Sequence, residues 1–467
     1  VDKNGVLLES SAIQILGFDY NDRIVEHPPE TFHGSPVRQV ASSVKHTAVI
    51  TDNGSLYTRG RGEFGALGLG SDDDSDTFVL VPKESFRGED LRTIACGHDH
   101  TVAVTDTGRV YAFGTGEDFA LGVPGAIDNI FSPLLVEVKD NGEDVEIVMV
   151  AAGCAHTMAL SKDGNVFVWG KNQFGQLGTN DTLNRETPWK LNPSFFQHNP
   201  VVFIAAGFLH SAAVTQNGSL FTWGCNSDGQ LGTSRVPPYQ NFNMPQFVNL
   251  PHASPVSMVA CHLQHTIVVT VAGNVWACGN NSWGALGLGA LGLDENAQQT
   301  ETVGLFQHVD VGQNEIMTAA AGFQHVSALV TKSGKLLLSG NVAAKGLSPP
   351  RQNQTLTVFT ECSLGTLAGK RIGRCHCLEP ERALAFCMGQ QRRLSGRDGA
   401  DSVVSPIYSL KEELVGMIVR LCISWPEGQA GQDESTVRLL GGGVGVGREL
   451  KQWPSMQVEK PPGHTKG

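Results

Sequence analysis

The chain has 467 residues, of which 46 are Asp or Glu and 34 Lys or Arg, giving a net charge of −12, with 55 glycines and 22 prolines. That length exceeds what one hydrophobic core supports, and 40% hydrophobic with only 17% charged residues excludes a disordered chain; a turn-rich β array fits best. The acidic balance disfavours direct nucleic-acid binding and favours a neutral or basic partner, and no apolar run reaches the roughly eighteen residues of a membrane helix, so no membrane span is expected.

At the chain start, NGVLLESS (Asn4 to Ser11) parallels SGKLLLSG (Ser333 to Gly340), so the N-terminus reads as the second half of a repeating unit without its first half. Numbering begins at Val1 and no secretory signal opens the chain. The expectation is an intracellular, reducing compartment: the cytoplasm or an organelle, the mitochondrial matrix included if a targeting segment was removed, with the nucleus disfavoured. The ten cysteines lack the spacing of a secreted disulfide framework, and Cys96 and Cys261 occupy positions held by Ala152 and Ala206 elsewhere, as small core residues would.

The unit itself begins with VASSVKHTAVITDNGSLYTRG, ending at Gly60, and recurs as IACGHDHTVAVTDTGRVYAFG, AAGCAHTMALSKDGNVFVWG, IAAGFLHSAAVTQNGSLFTWG, VACHLQHTIVVTVAGNVWACG and AAAGFQHVSALVTKSGKLLLSG. Its histidines are His46, His100, His156, His210, His265 and His325, at spacings of 54, 56, 54, 55 and 60 residues. A period in that range suits one propeller blade. Apolar runs before and after Asp163-Gly164, Asn217-Gly218 and Ser333-Gly334 read as hairpin strands, and a glycine-leucine signal such as FGQLG (Phe174 to Gly178) follows at variable distance. A catalytic or metal-binding histidine is needed once per site; one that recurs in every unit reads as a structural group tying its strand to neighbouring backbone.

Within the first unit, Gly70 to Asp76 carries four carboxylates without calcium-loop register and reads as a solvated acidic turn. Trp169 and Trp223 stand at the strand position before the repeat glycine and read as core. Leu286 to Glu315, with GALGLGALGLD, reads as the longest loop and a partner-contact candidate. A degenerate seventh copy runs from Cys377 to Gly396 with Pro380 in the histidine position. Val6 to Leu8 is expected to complete its blade, in preference to the polar Gln390 to Arg393. Cys375-His376-Cys377 lacks the two-residue separation of a zinc site, and GGGVGVG from Gly441 lacks the Lys of a phosphate loop, so no metal, no cofactor and no catalytic residue is assigned.

The A-x-G-x-x-H-T unit followed by G-x-L-G resembles the regulator of chromosome condensation repeat family. That resemblance implies an all-β, seven-bladed β-propeller over residues 1–396, with 397–467 as a C-terminal extension. In the extension, Ser409-Leu410-Lys411-Glu412 has capping-box spacing. Leu410, Leu414, Ile418 and Leu421 then recur at helical intervals, predicting a short amphipathic helix near 410–423 as a partner contact, before a Gly/Pro-rich tail.

The family also includes an exchange factor for the GTPase Ran, and in members with that activity an aspartate precedes a repeat histidine. Here only Asp99-His100 matches, and no wedge-like insertion follows Gly114. Away from that role, Asp99 reads as a solvated loop carboxylate. The expectation is a non-enzymatic protein-protein interaction scaffold or adaptor within a larger assembly. The alternative is a guanine-nucleotide exchange factor for a small GTPase, contacting it through Asp99.

Overall fold

Each repeat places an apolar run before its histidine, a second from the histidine onward and a third ahead of the closing glycine, and the backbone follows that pattern. The computed structural model describes residues 15–18, 24–27, 29–233, 240–250, 254–281, 284–289, 302–322, 326–333, 335–341 and 355–362. Among these, six four-stranded antiparallel sheets succeed one another in chain order.

Blade 1 consists of Val37–Ser42, His46–Thr51, Leu56–Gly60 and Ser75–Leu80; blade 2 of Leu91–Cys96, His100–Thr105, Val110–Gly114 and Ile130–Val136. Blade 3 follows with Ile147–Ala152, His156–Ser161, Val166–Gly170 and Arg185–Lys190, and blade 4 with Val201–Ala206, His210–Thr215, Leu220–Gly224 and Phe242–Val248. Blade 5 is Val256–His262, His265–Thr270, Val275–Asn280 and Thr302–Val309; blade 6 is Ile316–Gly322, Val326–Thr331, Leu336–Asn341 and Thr355–Cys362. The protein is therefore an all-β propeller. No described helix is long and apolar enough to cross a membrane.

The second and third strands form a tight hairpin in which glycine is obligatory: Gly54, Gly108, Gly164, Gly218 and Gly273 hold φ between +75° and +85°, where a Cβ is strained. Within a blade the strands lie in chain order, and the first strands of all six line one channel of about 260 Å³. Each contributes an alanine to it: Ala41, Ala95, Ala152, Ala205, Ala260 and Ala320. Between blades the sheet faces pack through apolar side chains. Ala48, Ile50 and Leu56 of blade 1, for example, pack with Ile94, Ala103 and Phe113 of blade 2. Trp169 and Trp223 are fully buried, as their strand position implies.

Some expectations change against this frame. The stretch Leu286 to Glu315 is not one loop, because it contains the outer strand of blade 5, Thr302–Val309. Alternation in TVGLFQHV closes the sheet there, with Val309 opposite Val275. Cys96 and Cys261 are half-buried on the channel wall rather than in the core, since the inner strands carry small residues where the blades converge. Six blades are described where the repeats count seven. The seventh copy (Cys377 to Gly396), Val6 to Leu8, and Leu410, Leu414, Ile418 and Leu421 lie outside the described residues. The sheets belong to a unit spanning Val1–Trp425, and Pro426–Gly467 forms a second unit outside the described residues.

Candidate functional site

The repeat histidine opens the second strand of its blade, facing the closing glycine of the third: His46 with Gly60, His100 with Gly114, His156 with Gly170, His210 with Gly224 and His265 with Gly279. All five are at least 98% buried, as their exposures of 0–2% show. From there each imidazole Nε2 reaches across to the next blade. It meets the hydroxyl of the residue one place after that blade's second-strand start: His46 to Thr101 at 2.7 Å, His100 to Thr157 at 3.0 Å, His156 to Ser211 at 3.0 Å, His210 to Thr266 at 2.9 Å and His265 to Ser327 at 3.1 Å.

Four of those hydroxyls donate in turn to a carbonyl in the glycine-leucine loop of the preceding blade. Thr101 binds Ala66 at 2.8 Å, Thr157 Ala120 at 3.0 Å, Ser211 Gln176 at 2.8 Å and Thr266 Gln230 at 2.7 Å. A hydroxyl has one proton, so donating to the carbonyl obliges it to accept from Nε2–H, and this fixes the imidazole tautomer. Two of these carbonyls take a second donor, from a tryptophan. Trp169 Nε1 binds Ala120 O at 3.0 Å and Trp223 Nε1 binds Gln176 O at 2.9 Å. Ser339 Oγ reaches the corresponding Ala285 O at 3.0 Å.

The glycine three residues before the histidine is required by contact rather than by torsion. A Cβ on Gly153 would lie 2.1 Å from His156 Cε1 and 2.4 Å from its Nδ1, and Gly97 and Gly207 meet His100 and His210 in the same way. Blade 1 has Ser43 there, and its hydroxyl sits 3.0 Å from His46 Nδ1, supplying the donor that the Nδ1 atoms of His100, His156 and His210 lack. Burial holds the pKa of His100 down to about 4 and those of His156 and His210 down to about 3. These imidazoles are neutral at pH 7, and each is enclosed at its own blade interface.

In blade 6 the register differs. Val326, not a histidine, faces Gly340, while Ser327 keeps the hydroxyl position. His325 lies outside the described residues, one place before the register position that the other five occupy. Its sign in the sequence is the nine residues from His325 to the turn glycine Gly334, against eight in the other five copies.

Asp99 is not a solvated loop carboxylate. Its side chain is only 17% exposed, with Lys45 Nζ at 2.8 Å from Oδ1 and His98 Nδ1 at 2.5 Å from Oδ2. Burial pushes its carboxyl up, but the hydrogen bonds and charges of His98 and Lys45 outweigh that and hold it at about 2. The short loop GHDH forces this arrangement, because His100 is anchored inward and Asp99 is left facing Lys45 of blade 1. Asp99 lies at the end of the sheets from which the first-to-second and third-to-fourth strand connections leave. At that same loop face, Lys171 pairs with Asp118 at 2.7 Å across blades 3 and 2, Arg185 pairs with Asp181, and Arg61 lies 3.9 Å from Asp74. Cys154, Cys225, Cys261 and Cys278 form no disulfide, and burial pushes the Cys154 and Cys261 thiols up to about 12, which makes them poor nucleophiles. No group of His, Cys, Asp and Glu among the described residues could hold a metal ion.

The model of the RCC1-like domain matches residues 69–406. The chain belongs to the RCC1-like domain family. It is 35% identical over 214 residues to the ultraviolet-B receptor UVR8 of Arabidopsis thaliana, covering 46% of this chain and 47% of UVR8. It thus spans about half the length of that relative. It is 30% identical over 324 residues to the mitochondrial RCC1 domain-containing protein RUG3 of the same plant, covering 68% of this chain and 70% of RUG3. Among solved structures it resembles yeast RCC1 (Prp20) bound to Kap60, with a TM-score of 0.63 and 22% identity over 75% of this chain and 84% of that one.

In this RCC1-like domain the sequence pattern exposed the histidine and the glycine before it, but the receiving hydroxyls passed unremarked. The H-T or H-S pair was visible in the first five copies; what hid its role was that donor and acceptor lie about one repeat apart.

Two expected outcomes follow for the propeller. Gly153→Ala lowers stability by about 1–3 kcal/mol through overpacking against His156, whereas Gly153→Ser costs less because its hydroxyl can serve Nδ1 as Ser43 serves His46; urea denaturation of both variants checks the order. For pH, the unfolded histidines titrate near 6.5 and the buried ones lower, so stability is full above about pH 6.5 and falls as pH drops toward 4. Each of His100, His156 and His210 contributes a slope on the order of 1.4 kcal/mol per pH unit, and His156→Gln removes one such increment from the slope measured between pH 6 and 4.5.

Proposed function

We propose that this RCC1-like domain is a non-enzymatic interaction scaffold, a subunit or adaptor whose loop face meets other proteins within a larger assembly. One observation carries the reading: the residues that recur with chemical potential are committed to bonding blade to blade. The histidines and hydroxyls are consumed in inter-blade relays. Asp99, the one residue singled out for contact with a GTPase, has both carboxylate oxygens engaged by Lys45 and His98. What remains accessible is loop surface that differs from blade to blade, and loops on a rigid scaffold carry recognition. The free cysteines support a reducing compartment.

The second reading, nucleotide exchange on a small GTPase, draws on Prp20, but a likeness at 22% identity speaks for the fold. The Lys45–Asp99–His98 cluster supports a tie between blades 1 and 2 instead. The sequence-predicted helix at 410–423, with Leu410, Leu414, Ile418 and Leu421, is proposed as a second partner contact.

The expected result is that the purified chain leaves the rate of nucleotide release from a panel of small GTPases unchanged. In that case Asp99→Asn lowers the unfolding midpoint and has no effect on release, and the chain isolated from its source carries stoichiometric protein partners. Acceleration of release that Asp99→Asn abolishes at a temperature where the variant is folded would sink the scaffold reading.

A further inference from the structure

We infer that the tips of the blade 2 and blade 3 loops, Ile127 and Leu183, form a docking surface for a cationic polypeptide segment that carries apolar side chains among its lysines or arginines. This rests on the interaction reading and names the chemistry of the partner. Ile127 is 65% and Leu183 66% exposed, the highest values among the described large hydrophobic residues. Neither is a loose loop residue. The Leu183 amide donates to Asp181 Oδ1 at 3.1 Å, and its carbonyl accepts from Asn172 Nδ2 at 3.1 Å and Arg185 Nη1 at 3.0 Å. The Ile127 amide donates to Gly125 O at 3.0 Å, and the backbone of 126–128 packs on Gly116 so tightly that a Cβ there would lie 2.3 Å from Ala126 O.

The two loops are also tied to each other. Gly125 N–H donates to Glu186 Oε1 at 2.7 Å, and Asn184 Nδ2 donates to Asp118 Oδ1 at 3.3 Å, beside the Lys171–Asp118 pair. Two apolar side chains are therefore held out to water on loops braced by these hydrogen bonds. Such preorganisation lowers the ordering cost of binding.

Charge selects the occupant. The cations of these loops, Lys171 and Arg185, are neutralised by Asp118 and Asp181, and the Arg185 guanidinium also stacks 4.7 Å over Trp189. Glu117, Asp128 and Glu186, which border the two tips, are exposed and have no cation within ion-pair distance among the described residues. An apolar pair ringed by uncompensated carboxylates suits a basic segment with apolar anchors. It repels nucleic acid and an anionic lipid surface, and at a net charge of −12 a second copy of this chain is a poor fit.

The test uses the full chain and fluorescence anisotropy with a labelled peptide of alternating lysine and leucine. Comparison peptides replace lysine by glutamate or leucine by serine. The lysine-leucine peptide is expected to bind, and Ile127→Ser with Leu183→Ser to weaken it at least tenfold without moving the unfolding midpoint. Asp128→Asn with Glu186→Gln, which keeps an acceptor for Gly125, is expected to flatten the salt dependence. Failure of that peptide to bind, equal binding to the serine variants, or equal binding of the lysine-serine peptide overturns the proposal; the last outcome means acidic attraction alone. The scaffold reading stands apart: a stoichiometric complex that survives the serine variants ends this surface only, whereas peptide binding without any native complex ends the scaffold reading only.

Discussion

A single hydrogen-bonded relay, imidazole to hydroxyl to loop carbonyl, is the constraint on which the rest of the propeller depends. Each of blades 2 to 5 supplies the donor for one interface and the receiving hydroxyl for the previous one, as Thr157 does for His100 while its neighbour His156 reaches Ser211. A polar group buried between apolar sheet faces without a partner costs about 1–3 kcal/mol, so each histidine demands its hydroxyl and each hydroxyl its carbonyl. The carbonyl belongs to the glycine-leucine loop of the blade behind, and bonding it from two sides pins that loop under the indole of Trp169 or Trp223. Burial keeps the imidazoles neutral, and a neutral imidazole makes the donor-acceptor order unique.

The same relay explains why chemistry and recognition separate in this molecule. Residues that recur are drawn into the interfaces, where solvent and ligands do not reach. Asp99 shows the rule from the other side: it is unique in its register, yet Lys45 of one blade and His98 of the other close on it, making it another inter-blade tie. Individuality resides in the third-to-fourth strand connections. Asn172 and Asn226 organise two of them from inside, through buried side-chain amides bonded to Leu177 N and Leu231 N. Gly62 and Gly116 stand at that position in blades 1 and 2, where backbone carbonyls pass within 2.3 Å of a would-be Cβ. A fixed inner framework thus carries loops of different length and composition.

Blade 6 shows where the regularity gives out. Ser327 still receives His265, and Ser339 still binds a carbonyl where other blades use tryptophan or cysteine, but Val326 occupies the histidine register. Valine has no side-chain N–H to pass onward, so among the described residues the relay runs from His46 to its last donor, His265. The one extra residue between His325 and the hairpin turn puts Val326 in the histidine register without displacing Ser327.

By itself the sequence determined the β class, the blade period and the turn glycines. All of these are properties of a pattern that repeats, and repetition is visible along one dimension. Trp169 and Trp223 as core followed from the same alignment of copies. Only the tertiary structure decided which hydroxyl each histidine meets, that Ser43 replaces a glycine by serving Nδ1, that Asp99 is locked by Lys45, and that Thr302–Val309 is a strand. The reason is distance along the chain: these partners lie across a blade boundary or at the end of an irregular connection, where local propensity is silent and packing against a neighbouring sheet sets the outcome.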